Sequence, residues 1–392
     1  MMAFPKLRFK NAEGAEFTSW VTSFIGDECK ITTGNKDTQN KIDGGKYPFF
    51  VRSQTVERIN TYSKDCEAIL TSGDGVGVGK NYHYINGKFD FHQRVYCLYD
   101  FSNQLLGKYL YIYFSNYFFD RVKRLSAKNS VDSVRMDMIS KMEIKLPSLV
   151  EQTKIASFLS AVDEKISQLT QKQQLLSQYK QGMMQKLFSQ QIRFKADDGS
   201  EFGEWEEIVL SDVATRITRK NKEDNQNALT ISAQMGLVNQ QEYFSKQIAS
   251  RDLTKYYLLH KGEFAYNKSY SAGYPMGAIK RLKLYEKGVV STLYICFSLN
   301  TEINSDFFEH YVESGALVHE LEKIAQEGAR NHGLLNISLQ EFFEVALFKP
   351  CLEEQTKIAN FLSAIDQKID VVSEQLEQAK LWKKGLLQQM FV

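Results

Sequence analysis

The chain has 392 residues, 43% hydrophobic and 24% charged, with a net charge of +2, which gives room for two or three cored domains of ordinary folded composition. No apolar run approaches bilayer length, the opening MMAFPKLRFKNAEG has no signal core, and five scattered cysteines are never spaced as CxxC. These features argue against a membrane or secreted protein and point to the cytoplasm, and the small net charge means that any DNA contact must gather basic residues in loops or borrow them from partners.

In chain order, a short segment with Arg8-Phe9-Lys10, Gly14 and Trp20 comes first, and residues 20–146 then read as a mixed α/β domain of many short strands. The strand-like Ala68-Ile69-Leu70 leads into a glycine-rich loop from Ser72 to Tyr84. This loop fails as a phosphate cradle, because Asp74 stands where a Walker motif needs its first glycine and Asn81 replaces the Ser or Thr. Its Lys80, Asn81, Tyr82 and His83 suit close approach to a DNA backbone or groove, with a plain β-turn as the alternative. Arg52 is a further basic candidate. Later in the domain Lys128 and Asn129 form a second loop whose side chains suit either phosphates and base edges or solvent.

From Val150 to Phe188 there is no proline and one glycine. Ile155, Leu159, Val162, Ile166, Leu169 and Leu176 follow a heptad seam, interrupted by Gln173 and Lys180, which predicts a coiled-coil helix. Ser148 and Glu151, after Pro147, spell a capping box. At 1.5 Å per residue the helix would be a rod of about 58 Å.

The same plan then repeats. EQTKIASFLSAVDEKI at 151–166 returns as EQTKIANFLSAIDQKI at 354–369, with 13 of 16 positions identical and an offset of 203 residues. Arg193-Phe194-Lys195, Gly199 and Trp205 repeat the first segment at an offset of 185. The second interior is therefore longer by roughly 18 residues, and near offset 198 Val95–Tyr99 falls opposite Leu293–Phe297. The second domain, 205–349, offers Arg216, Arg219 and Lys220, the loop residues Lys268, Ser269, Tyr270 and Tyr274, and a later Arg330-Asn331 pair. The second seam is Ile358, Leu362, Ile365, Ile369, Val372 and Leu376, and Cys351 at its cap position predicts a less firmly held helix start.

The expected domains are 1–146, a helix at 147–188, 189–349, and a helix at 350–392. The fold class is α+β. If the seams pair within the chain, connectivity makes the helices antiparallel, with a domain at each end of a pseudo-twofold, nearly circular molecule. The alternative is that each helix packs only on its own domain.

Catalytic patterns are missing. His319-Glu320-Leu321-Glu322-Lys323 lacks the second ligand of a zinc protease helix. Asp163-Glu164-Lys165 and Asp366-Gln367-Lys368 lie where alternating charge is ordinarily a solvated helix face, and no two prolines are adjacent to build an adenine-flipping tetrapeptide. No catalytic residue and no metal site are expected.

The twice-written Pro-x-x-x-Glu-Gln-x-x-Ile-Ala at the head of a long helix, the Arg-Phe…Gly…Trp segments and the Gly-Asp-Gly-x-Gly loop at 73–77 resemble the specificity subunits of type I restriction-modification systems. The resemblance covers essentially the whole chain. It implies two target recognition domains, each reading half of a split double-stranded DNA site, and helices that set the spacer and dock two methyltransferase subunits. It also places S-adenosylmethionine, ATP and Mg in partner methyltransferase and restriction subunits, and no cofactor in this chain. A coiled-coil scaffold that binds protein without reading DNA is the competing reading.

Overall fold

The computed structural model of the chain describes residues 5–75, 77–126, 133–232, 234–244, 252–271, 273–325 and 335–391. The chain falls into two compact units, residues 1–170 with 374–392, and residues 171–373, and each is described by itself.

The first unit contains β1 (Val21–Phe24), β2 (Lys30–Thr33), β3 (Tyr47–Phe50), β4 (Glu57–Ile59), β5 (Lys64–Ser72), β6 (Tyr82–Phe91), β7 (Val95–Tyr99) and β8 (Glu143–Leu146). Antiparallel β1 and β8 stitch the two ends of the domain together. The other six form one sheet in the order β2-β7-β5-β6-β3-β4, in which only β3 and β6 run parallel. Alternation along β5 sends successive side chains to opposite faces. Ile69 joins Leu98 and helix α1 (Gly107–Leu125) in one core, while Ala68 and Leu70 join Phe50, Phe89, Phe91 and Cys97 in another. Leu110, Phe114 and Phe118, one turn apart on α1, are completely buried. Helix α2 (Met136–Ser140) then leads through β8 into the long α3 (Leu149–Phe188).

The second unit repeats the frame. Its strands are β9 (Glu206–Val209), β10 (Ala214–Ile217), β11 (Leu229–Ser232), β12 (Gly236–Asn239), β13 (Tyr257–His260), β14 (Phe264–Asn267), β15 (Ala278–Arg281), β16 (Lys287–Val290), β17 (Ile295–Leu299) and β18 (Ala346–Lys349). The order β10-β17-β14-β15 reproduces β2-β7-β5-β6, and β9 with β18 reproduces β1 with β8. More than half of the extra length lies between β10 and β14: Ile31 and Ile69, both opposite Leu98, are 38 residues apart, and Arg216 and Phe264, both opposite Phe297, are 48 apart. There β11 pairs with β12, and β13 with the later β16, over a core of Leu229, Leu237, Leu259 and Val290. Helices α4 (Ser305–Glu313) and α5 (Leu339–Phe343) pack in this unit, and the long α6 (Leu352–Met390) follows β18.

Strand pairing corrects the interior alignment by one residue. Ile31 lies opposite Leu98 and Arg216 opposite Phe297, so Leu98 and Phe297, both fully buried, are the equivalent pair. A slip of one residue would turn each of them to the wrong face.

Each unit holds a part of both long helices. In the second unit Gln173 donates to Ser373 Oγ at 2.6 Å, and Lys180 meets Asp366 at 2.6 Å. One heptad forward on α3 is thus one heptad back on α6, and the two segments run antiparallel. In the first unit Lys383 of α6 meets Asp163 of α3 at 2.5 Å, the same two repeat positions with the helices exchanged. The polar interruptions of the seam are therefore partnered. Ile155, Leu159 and Val162 are buried in the first domain's core, and Ile358, Leu362 and Ile365 in the second's, with Ile166 and Ile369 half-buried against them. Leu169, Val372 and Leu376 are buried and Leu176 is half-buried. Within each unit the helices pair and also pack on the domain.

Candidate nucleic-acid interface and its anchors

The repeated phrase is an anchor. Arg8 Nε and Nη2 donate to the two oxygens of Glu151 at 3.0 and 2.7 Å, and Trp20 Nε1 adds a third bond at 3.1 Å. Arg193 grips Glu354 in the same fork, at 3.1 and 2.7 Å. Both carboxylates are wholly buried, which they tolerate because a bidentate guanidinium neutralises them. Lys154 and Lys357 donate to the carbonyls of Lys10 and Lys195 at 2.7 and 2.8 Å. Phe9 packs edge-on against Phe158, and Phe194 against Phe361, each at 5.7 Å. Gln152 accepts from Leu106 N and donates to Pro147 O, as Gln355 accepts from Asn304 N and donates to Pro350 O.

This geometry revises the capping box. Glu151 N does face Ser148 Oγ at 3.4 Å, but the Glu151 carboxylate belongs to Arg8 and Trp20. That is why glutamate persists at 354 although Cys351 has replaced the cap serine. Both long helices begin at equivalent residues, Leu149 and Leu352, with the glutamine holding the preceding proline carbonyl. One difference stands out: Trp205 Nε1 is buried without a hydrogen-bond partner, where Trp20 reaches its glutamate.

In the first domain the ends of β3 and β5 and the β6–β7 turn come together around Asp74. Arg52 Nη1 meets Asp74 Oδ1 at 3.0 Å, and Arg94 Nε lies 3.6 Å from Oδ2. Asn81 is buried, donating to Arg52 O at 3.1 Å and Ser72 Oγ at 3.2 Å. His83 Nε2 sits 3.2 Å from Ser53 O, and burial pushes its pKa down. Asn81 and His83 thus face the scaffold beneath Arg52. Tyr82 packs on Phe114 and donates to Gly79 O, while Lys80 is exposed beside Phe119. The glycines follow from this packing: a Cβ at Gly77 would lie 1.9 Å from Asn81 Nδ2, and Gly75 and Gly79 have φ of 79° and 65°. Sequence reasoning missed Asp74 and Arg94. Asp74 is visible in the sequence only as the residue that spoils a Walker motif.

In the second domain the candidates are dispersed. Arg219 binds Glu263 at 2.6 Å and lies 3.2 Å from His260 Nδ1. Lys220 donates to Lys255 O beneath Tyr257, and Arg216 is exposed on β10. Lys268 Nζ is 3.4 Å from Ile337 O, the Ser269 amide donates to Asn267 Oδ1, and Tyr270 is 68% exposed. Tyr274 donates to Glu313 at 2.7 Å and accepts from Lys280, which also binds Glu313. Burial, then Glu313, raises the Tyr274 pKa. Lys128, Asn129, Arg330 and Asn331 lie outside the described residues. Among the described residues no helix is long and apolar enough to cross a membrane.

Known proteins match this arrangement. The model of the type I restriction modification DNA specificity domain fits twice, at residues 18–178 and 203–381. The type I restriction enzyme MjaVIII specificity subunit of Methanocaldococcus jannaschii is 26% identical over 422 aligned positions, covering 99% of this chain and 96% of that protein. The EcoDI specificity subunit of Escherichia coli is 28% identical over 172 residues, 42% of this chain but only 37% of that relative's length. In fold, the chain is similar to the S subunit of a type I restriction-modification system from M. genitalium, with a TM-score of 0.65 at 18% identity, covering 100% and 99% of the two chains. A chain from a structure of type I system complex assembly and conformational transition gives 0.52 at 14% identity, covering 96% and 97%. These matches favour DNA specificity over the scaffold reading. The chain belongs to the type I restriction modification DNA specificity family and is a specificity subunit built from two target recognition domains.

Proposed function

We propose that each domain reads one half of a bipartite double-stranded DNA site and that α3 and α6 set the unread spacer. The observation that carries this reading is a contrast inside one chain. The anchors that fix each domain to its helix repeat nearly atom for atom, whereas the polar groups beyond them differ, Arg52 meeting Asp74 in one domain and Tyr274 meeting Glu313 in the other. A frame kept twice under two different surfaces fits one reading task performed on two sequences.

The chemistry belongs to partners in this proposal. Two methyltransferase subunits using S-adenosylmethionine dock on the chain, and restriction subunits supply ATP- and Mg-dependent cleavage. Matched exposed apolar side chains support a partner present twice. Met136 and Leu339, Leu149 and Leu352, and Tyr179 and Trp382 are pairwise equivalent and 38–54% exposed. Apolar side chains retained in the open at equivalent positions suit docking.

Long-read methylation sequencing of cells carrying the chain with its partners tests the reading. A split adenine motif of fixed spacer is expected, and exchanging residues 205–349 with those of a relative should change one half alone. A methylome with no motif that depends on the chain would refute it.

A further inference from the structure

The first domain carries an arginine that is exposed, fixed and only partly engaged. Its backbone is pinned from below: buried Asn81 donates to Arg52 O, His83 lies against Ser53 O, and His92 N donates to Phe50 O at 2.9 Å. Asp74 holds the side chain through Nη1, and Asp74 is itself fixed by a bridge to Ser133. The neighbouring loop is tied as well, with Gly73 N donating to Arg94 O at 2.7 Å. The Arg52 side chain is nevertheless 45% exposed. Among the described residues no other group takes its remaining N–H bonds, so a donor fork is left to face outward.

A fixed guanidinium with a free fork matches the O6 and N7 acceptors that guanine shows in the major groove. A phosphate would be the other ligand for such a fork. Asp74 decides between them. A carboxylate at 3.0 Å, shared with Arg94 at 3.6 Å, offsets much of the charge that would draw a phosphate and leaves the geometry for a neutral acceptor intact. The pinned backbone also lowers the entropy that a flexible arginine would lose on binding. The second domain has no such triad among its described residues, since Arg219 there is engaged by Glu263 and His260.

We infer that Arg52, oriented by Asp74, reads one guanine in the half-site recognised by the first domain. This rests on the bipartite reading proposed above. The test is base-by-base methylation profiling of the complete complex carrying Arg52→Lys, Arg52→Gln or Asp74→Asn. Arg52→Lys keeps the charge and loses the fork, so one guanine position should relax, by roughly tenfold or more in preference. Spacer and second half-site should be unchanged. Arg52→Gln should relax the same position, and Asp74→Asn should loosen it less.

A phosphate contact would behave differently: methylation would fall evenly at all bases in Arg52→Gln and rise evenly in Asp74→Asn. That pattern overturns the assignment. So does an unchanged motif, or a loss of methylation by Arg52→Lys at both half-sites. A wild-type motif that is bipartite but lacks guanine in both halves also sinks it, leaving the bipartite reading standing.

Discussion

The two anchors and the two strand-end surfaces received the same span of duplication and kept different amounts of it. Arg8–Glu151 and Arg193–Glu354 agree to within 0.1 Å in both hydrogen bonds. Away from the anchors, an exposed Arg52–Asp74–Arg94 group stands at the strand ends of one domain, while in the other a Tyr274–Lys280–Glu313 group, with Lys280 buried in β15, links that strand to α4. The difference is thermodynamic. A buried carboxylate tolerates no partner but the one that neutralises it, so either residue changing alone is costly. An exposed strand-end residue changes at little cost to folding, so it can follow whatever it binds.

The sharpest way to break that comparison is to remove the anchor carboxylates. Glu151→Ala and Glu354→Ala each leave a guanidinium without its buried partner, and each should cost about 3–5 kcal/mol in denaturant unfolding of the full chain. Glu151→Ala should cost about 1 kcal/mol more, because it also strips Trp20 Nε1, whereas Trp205 makes no such bond. Losses under 1 kcal/mol at both sites would show that the repeated phrase is kept for another reason. Substituting Arg52 should cost folding only a few tenths of a kcal/mol.

Acid should next separate α4 from its counterpart α1, although burial also lowers the pKa of His83 in the first unit. His310 on α4 is buried, with Nε2 3.2 Å from Ser363 Oγ and Nδ1 4.0 Å from Asp366. Burial, then the charge of Lys180, pushes its pKa down to about 4, with Asp366 pulling the other way. The folded chain keeps this ring neutral while the unfolded chain protonates it near 6.5. Stability is therefore full above pH 6.5 and falls as pH drops toward 4. No histidine occurs in α1, the matching helix of the first unit. Between pH 6.5 and 4.5 the wild type should lose about 2 kcal/mol more than His310→Gln. Parallel pH curves for the two proteins would remove His310 from the account.

Much of the frame was legible because it is periodic or repeated. Heptads announced α3 and α6, and the phrase at 151–166 marked where each helix meets its domain. The anchor pairing was not, since Arg8 and Glu151 lie 143 residues apart and the local capping motif gave Glu151 a competing explanation. The one-residue error between Leu98 and Phe297 has a similar cause: strands of four or five apolar residues align nearly as well in two registers, and only cross-strand partners choose. At the recognition surface basic residues are visible in sequence, but whether one faces outward is not. Asn81 and Arg52 are hydrogen-bonded to each other, yet one is buried and the other exposed. Three strand ends had to converge before that distinction existed.

The finest comparison lies between the two ion pairs of the long helices. Lys180–Asp366 and Lys383–Asp163 occupy the same two repeat positions with the helices exchanged, and their lysine side chains are 20% and 24% exposed. Partial exposure screens both pairs, so Lys180→Met and Lys383→Met should each cost only about 0.5–1 kcal/mol. The lysines differ in one neighbour, because the charge of Lys180 also bears on His310. Lys180→Met should therefore raise the pH at which His310 protonates in the folded chain and shorten the acid limb, so that less stability is lost between pH 6.5 and 4.5, while Lys383→Met leaves that limb in place. Reversing a pair gives the control: Lys180→Asp alone opposes two carboxylates, and adding Asp366→Lys should recover most of the loss. If the double variant is no more stable than the single one, the two residues are neighbours in space without being partners in energy.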